Sequence, residues 1–132
     1  MLNLAATQVF TGTELLDGAT VEVDGGRIVD VKAGIAPGAT FLDGLLAPGL
    51  LDIQVNGGGG AMFNDAPTIE TLRTITRAHA RYGVTAIMAT LISDERSKIS
   101  AAFAAVEQGM LEGLPGLLGL HLEGPWLSTP RI

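Results

Sequence analysis

Cysteine is absent from the 132 residues, which removes disulfides, thiolate metal sites and a thiol nucleophile from consideration. Basic residues are scarce: 8 Lys and Arg face 14 Asp and Glu, giving a formal net charge of −6, and they form no cluster. A phosphate backbone or an anionic lipid surface finds no electrostatic footprint here, so neither nucleic acid nor membrane is expected as a partner. Long apolar runs are missing too. The most apolar uncharged stretch, 82–93, has 12 residues, short of the roughly 20 that a membrane-spanning helix needs. The opening MLNLAATQVF carries no basic n-region of a secretory signal. A soluble, cytoplasmic protein is the expectation. Charged residues make up only 17% and aromatics 5%, against 47% apolar residues and 18 glycines. So low a charged fraction suits a chain whose elements are mostly covered.

What is present divides in two. Residues 1–47 read as short strands with polar turns. Val21-Glu22-Val23-Asp24 alternates, Asp24-Gly25-Gly26 supplies a tight turn, and residues 27–32 answer it, the pattern of a hairpin. A further strand falls in 40–47, closed by Pro48-Gly49. From 48 to 132 strands and helices alternate. Residues 51–55, 84–92 and 117–122 are short apolar strands whose first residues follow one another at 33-residue spacing. Between them, 67–82 carries Ile69, Leu72, Ile75 and His79 at helical period, with Asp65 or Thr68 as cap. A second helix follows Ser93 as its cap, with Asp94 and Glu95 in its first turn and an apolar face of Ile99, Ala102, Phe103, Val106 and Met110. This βαβαβ order is α/β: it begins either a (β/α)8 barrel or a doubly wound sheet.

In both architectures the chemistry gathers at the carboxyl ends of the strands. Alternation along the first strand puts Asp52, Gln54 and Asn56 on one face, with Ile53 and Val55 toward the helices. On the third strand it puts His121 and Glu123 inside, with Leu120 and Leu122 outside. An imidazole and a carboxylate converging on one mouth are candidate metal ligands. Glu123, the last inward position before Gly124-Pro125, is poorly explained by packing and reads as a ligand or catalytic group. His121 reads first as a hydrogen-bonded inner-face residue and second as a ligand. Gln54 and Asn56, neutral amides, suit contacts to water or substrate as well as coordination. Asp52 reads as a structural acceptor of backbone hydrogen bonds, and His79, Tyr82 and Trp126 as packing residues. Gly57 to Gly60 lacks the Gly-Lys-Ser/Thr of a nucleotide cradle and reads as a close backbone approach or a turn.

The run Leu46-Ala47-Pro48-Gly49-Leu50-Leu51-Asp52-Ile53-Gln54-Val55-Asn56-Gly57 resembles the first barrel strand of the amidohydrolase superfamily, with Gln-x-Asn where many members carry His-x-His. Together with Gly119-Leu120-His121-Leu122-Glu123-Gly124-Pro125-Trp126, it is similar to the N-acetylglucosamine-6-phosphate deacetylase family along the whole chain. The resemblance implies a small β-sandwich, to which 1–47 contributes, followed over 48–132 by the first three βα units of a (β/α)8 TIM barrel. It implies Glu123 as the carboxylate ligand of one divalent ion, zinc or iron. Hydrolysis of a 6-phosphorylated N-acetyl amino sugar to acetate and the free amine would follow.

A barrel of this kind needs about 250 residues. The further ligands and the general base are therefore expected outside this sequence, no catalytic group is assigned within it, and the 132 residues alone are expected to be inactive. The expected partners of the complete protein are the phosphorylated amino sugar and a second copy of itself in a dimer. A cyclic-amide hydrolase and a non-catalytic interaction module with an open sheet edge are the alternatives.

Overall fold

The computed structural model of the chain describes residues 1–124. Pro125, Trp126 and the terminal segment 127–132 lie outside the described residues. The chain separates into two compact units, Met1–Pro48 and Gly49–Ile132.

In the first unit, strands β1 (Leu2–Phe10), β2 (Leu15–Asp24), β3 (Arg27–Ala33) and β4 (Thr40–Leu46) form one sheet in the order β3-β2-β1-β4. The expected hairpin is β2–β3, with Asp24 opposite Arg27. β4 returns to lie parallel to β1. Ala6, Val9, Ala19 and Val21 are buried on one face, packed by Leu16, Val23, Val31 and Leu46. Thr20 is fully buried without loss of hydrogen bonding: its hydroxyl donates to the Gly34 carbonyl at 2.8 Å and accepts from the Ala36 N–H at 2.9 Å. These strands make one sheet, so a second layer for the expected sandwich is not among the described residues.

The second unit runs β5 (Leu50–Val55), β6 (Gly57–Gly58), β7 (Ala61–Met62), α1 (Ile69–Ala80), β8 (Val84–Ile92), α2 (Arg96–Leu111) and β9 (Leu117–Glu123). β5, β8 and β9 are parallel and lie in that order. α1 packs on β8 and on α2, and α2 packs on β9. Phe63, Leu72, Ile75, Ile87, Leu91 and Val106 are among the side chains buried between these layers, each contributing about 1.5–3 kcal/mol by leaving water.

The period-3.6 reading of α1 holds: Leu72 and Ile75 are fully buried and Ile69 nearly so. Of the two cap candidates, Thr68 is the one used. It takes an extended backbone and its hydroxyl accepts the Thr71 N–H.

Three expectations for the rest of the unit are corrected. Ser93 does not cap α2. The helix starts at Arg96 with Glu95 in the cap position and no acid in its first turn, because the Ser93 hydroxyl donates to the Glu123 carbonyl at 3.3 Å instead. Asp94 anchors this turn from outside the helix, accepting from the Glu95 N–H, the Asn64 amide and the Lys98 ammonium. Phe103 and Met110 are 55% and 54% exposed; α2 buries Ala102, Ala105, Val106 and Gly109, a face rotated from the expected one. Ile53 is 65% exposed rather than packed on the helices. The β5–β8 register slips between Asp52 and Val55, and a slip of one residue exchanges the two faces of a strand.

Two consequences are measurable by chemical denaturation. Thr68→Ala removes the α1 cap and lowers stability by about 1 kcal/mol, while Thr68→Ser is close to neutral. Asp94 is held from its ordinary 3.8 down to about 2, by the Asn64 amide first, then the Glu95 N–H and Lys98. A carboxyl depressed on folding stabilises above its unfolded value and loses that contribution as pH falls through the folded one. Stability therefore declines between pH 3.8 and about 2, and Asp94→Asn flattens that part of the acid limb.

Candidate functional site

The carboxyl ends of β5, β8 and β9 gather Gln54, His121 and Glu123. β5 is irregular here for a local reason: the Asp52 carboxylate accepts the Gln54 N–H at 3.1 Å, turning the chain within the strand. Asp52 thus has the structural role read from its position. Gln54 then reaches past β8, and its amide donates to Glu123 Oε2 at 3.0 Å. This leaves Glu123 Oε1 outside the Gln54 bond.

On β9 the alternation follows expectation. Leu120 and Leu122 pack against the core shared with the helices, whereas His121 and Glu123 reach toward β5. His121 Nδ1 lies 2.8 Å from the Ile53 carbonyl. A carbonyl only accepts, so Nδ1 carries the hydrogen, and in the neutral ring Nε2 keeps a free lone pair. A backbone carbonyl holding one ring nitrogen is also how a ligating histidine is oriented. Asn56, half-buried just after β5, enters through its backbone carbonyl, which accepts the Phe63 N–H at 2.8 Å.

That bond closes a small hairpin in which β6 and β7 pair antiparallel through Gly59 and Gly60, whose φ values are 64° and 83°. Left-handed backbone at both central positions is what a two-residue turn of this hand needs and what glycine permits. The glycine run is therefore the close-approach turn, not a phosphate loop. His79 keeps its packing role: its Nε2 lies 3.0 Å from the Gly57 carbonyl.

One residue at this end carries no signal in the sequence pattern. Asn64 is 8% exposed and pairs with both peptide groups of Ile92: its Nδ2 donates to the Ile92 carbonyl, and its Oδ1 accepts the Ile92 N–H, each at 3.0 Å. It belongs to no periodic face, and only the fold shows it meeting β8.

The donor chemistry suits a contribution to a cation site and not a whole one. Glu123 offers a carboxylate and His121 a free imidazole nitrogen, but among the described residues no three His, Asp or Glu side chains gather closely enough to hold a metal ion. Nor is any described helix long and apolar enough to cross a membrane.

No family model matches the chain. Individual proteins do. The N-acetylgalactosamine-6-phosphate deacetylase of Shewanella sp. (strain ANA-3) is 38% identical over 99% of this chain and 35% of its own length. The N-acetylglucosamine-6-phosphate deacetylase of Haemophilus influenzae is 35% identical over 65% of this chain and 23% of its own length. Among solved structures, the N-acetyl-D-glucosamine-6-phosphate deacetylase of Mycobacterium smegmatis superposes with a TM-score of 0.87 at 33% identity, covering 100% of this chain and 38% of that one. The relatives and structural neighbours of this chain are N-acetylglucosamine- and N-acetylgalactosamine-6-phosphate deacetylases, and the chain spans between 23% and 38% of the length of these three.

Proposed function

We propose that the complete protein hydrolyses the acetamide of a 6-phosphorylated N-acetyl-hexosamine, N-acetylglucosamine 6-phosphate first, to acetate and the free amino sugar phosphate. The observation that carries this reading is Glu123: a carboxylate at the carboxyl end of a parallel strand, held on one oxygen by Gln54, in a chain whose relatives bear that activity in their names. Three parallel strands in sequential order, each of the first two followed by a helix, support the start of a (β/α)8 barrel. The four-stranded sheet of 1–48 supports one layer of a small sandwich.

In this reading Glu123 is the carboxylate ligand of one divalent ion, zinc or iron. When bound, such an ion polarises an amide carbonyl and lowers the pKa of a water molecule. Gln54 orients Glu123, and His121, with Nδ1 fixed on the Ile53 carbonyl, presents Nε2 to water or substrate. The remaining ligands and the group that moves the proton to the leaving amine come from outside the described residues. A phosphorylated sugar does not cross membranes unaided, which supports a cytoplasmic enzyme; a dimer is carried over from the family resemblance.

The test offers the full-length protein the gluco and galacto N-acetyl-hexosamine 6-phosphates, followed by acetate release, and dihydroorotate, followed by opening of its ring to carbamoyl aspartate. Turnover of a hexosamine phosphate is expected, and it should fall more than 100-fold in Glu123→Gln, because losing even a ligand's supporting partner costs about 10–100-fold. Turnover of dihydroorotate alone would favour the cyclic-amide reading, and turnover of none the non-catalytic one.

A further inference from the structure

β5 pairs with β8 only as far as Val55 opposite Ala89. β8 continues through Thr90 and Leu91 to Ile92, paired with β9 up to Ile92 opposite Glu123. Past the end of β5, the Asn64 carboxamide takes the place of a strand: it meets the Ile92 N–H and carbonyl together, the two-point contact a neighbouring strand would make. Asn64 is itself held, because Phe63 beside it is fully buried in the core and its amide is shared with Asp94.

The next residue after Ile92 touches the site. The Ser93 hydroxyl donates to the Glu123 carbonyl. Gly124 lies so close that a Cβ there would sit 2.1 Å from the Ser93 hydroxyl oxygen, and its φ is +105°. Glu123 is thus fixed at three levels: its carboxylate by Gln54, its carbonyl by Ser93, and its strand register by Ile92. The last two depend on the segment 92–94, which Asn64 holds at both ends, at Ile92 and at Asp94.

We propose that Asn64 is a positioning residue for Glu123, acting through Ile92 and Ser93 and touching neither ion nor substrate. The inference rests on the reading of Glu123 as a ligand of a divalent ion. Loosening 92–94 lets the Glu123 backbone drift relative to Gln54, and the carboxylate loses the geometry in which an ion finds it.

The experiment uses the full-length protein and measures zinc dissociation constants by competition with a chromophoric chelator, alongside kcat and KM. Asn64→Ala is expected to weaken zinc binding 10–100-fold, the range for losing a partner that orients a ligand, and to lower kcat with KM for the sugar phosphate little changed. Ser93→Ala deletes the second link without opening the core; it is expected to shift zinc affinity the same way and decides the matter where Asn64→Ala does not fold. Normal zinc affinity in folded Asn64→Ala, or in Ser93→Ala, overturns the inference and leaves Asn64 a stabilising clamp alone. Glu123→Gln separates the two readings: if it binds zinc as tightly as the parent, the ligand reading falls and the inference with it. If it binds weakly while Asn64→Ala and Ser93→Ala bind normally, only the inference falls.

Discussion

The second unit depends on one requirement: β8 is an interior strand in apolar surroundings, and each of its peptide groups needs a partner that is not water. β9 supplies one side from Ile87 to Ile92 and β5 the other until Val55 opposite Ala89. Where β5 ends, the need passes to a side chain, and Asn64 meets it. The residues around that junction then have little freedom. Asp94 takes the other face of the Asn64 amide, Lys98 follows Asp94, and α2 starts two residues later. A buried peptide left unpaired would cost about 1–3 kcal/mol, enough to account for the burial of the Asn64 carboxamide at this point.

Among the described residues, carboxylates outnumber cations around the site. Asp52, Asp94 and Glu123 stand near the carboxyl ends of the strands, and Lys98 is already paired with Asp94. Such a field attracts a cation and repels a phosphate. In the proposed reaction, these residues therefore belong to the side of the site where the amide is cut, and the sugar's phosphate is met by groups elsewhere.

Much of this was legible from the residue pattern. Periodicity placed α1 and chose Leu72 and Ile75 for its buried face; Asp24-Gly25-Gly26 placed the first hairpin; alternation on β9 separated Leu120 and Leu122 from His121 and Glu123. Each of these rests on a local repeat that the backbone enforces. The failures have a different origin. Ile53 departs from the alternation because the register slips between Asp52 and Val55, where the Asp52 carboxylate accepts the Gln54 N–H, so counting by twos no longer gives the face. Ser93 is a good cap by residue type, yet the Glu123 carbonyl, 30 positions away, claims its hydroxyl. Phe103 and Met110 belong to an apolar stripe, but a stripe says which side is greasy and not which part of it is covered. Asn64 had no pattern to belong to, since its partner is a peptide group, and peptide groups are invisible in a sequence.

The contact between Gln54 and Glu123 also ties the two edges of the sheet together. It joins residues 69 positions apart, while the strand pairings beneath it, β5 with β8 and β8 with β9, each link neighbours in the chain at about half that separation. Closing a long loop costs more entropy than closing a short one, and pairings between neighbouring segments form sooner. Both polar bridges, Gln54–Glu123 and His121–Ile53, therefore span the two shorter crossovers, and their geometry reports on the completed sheet.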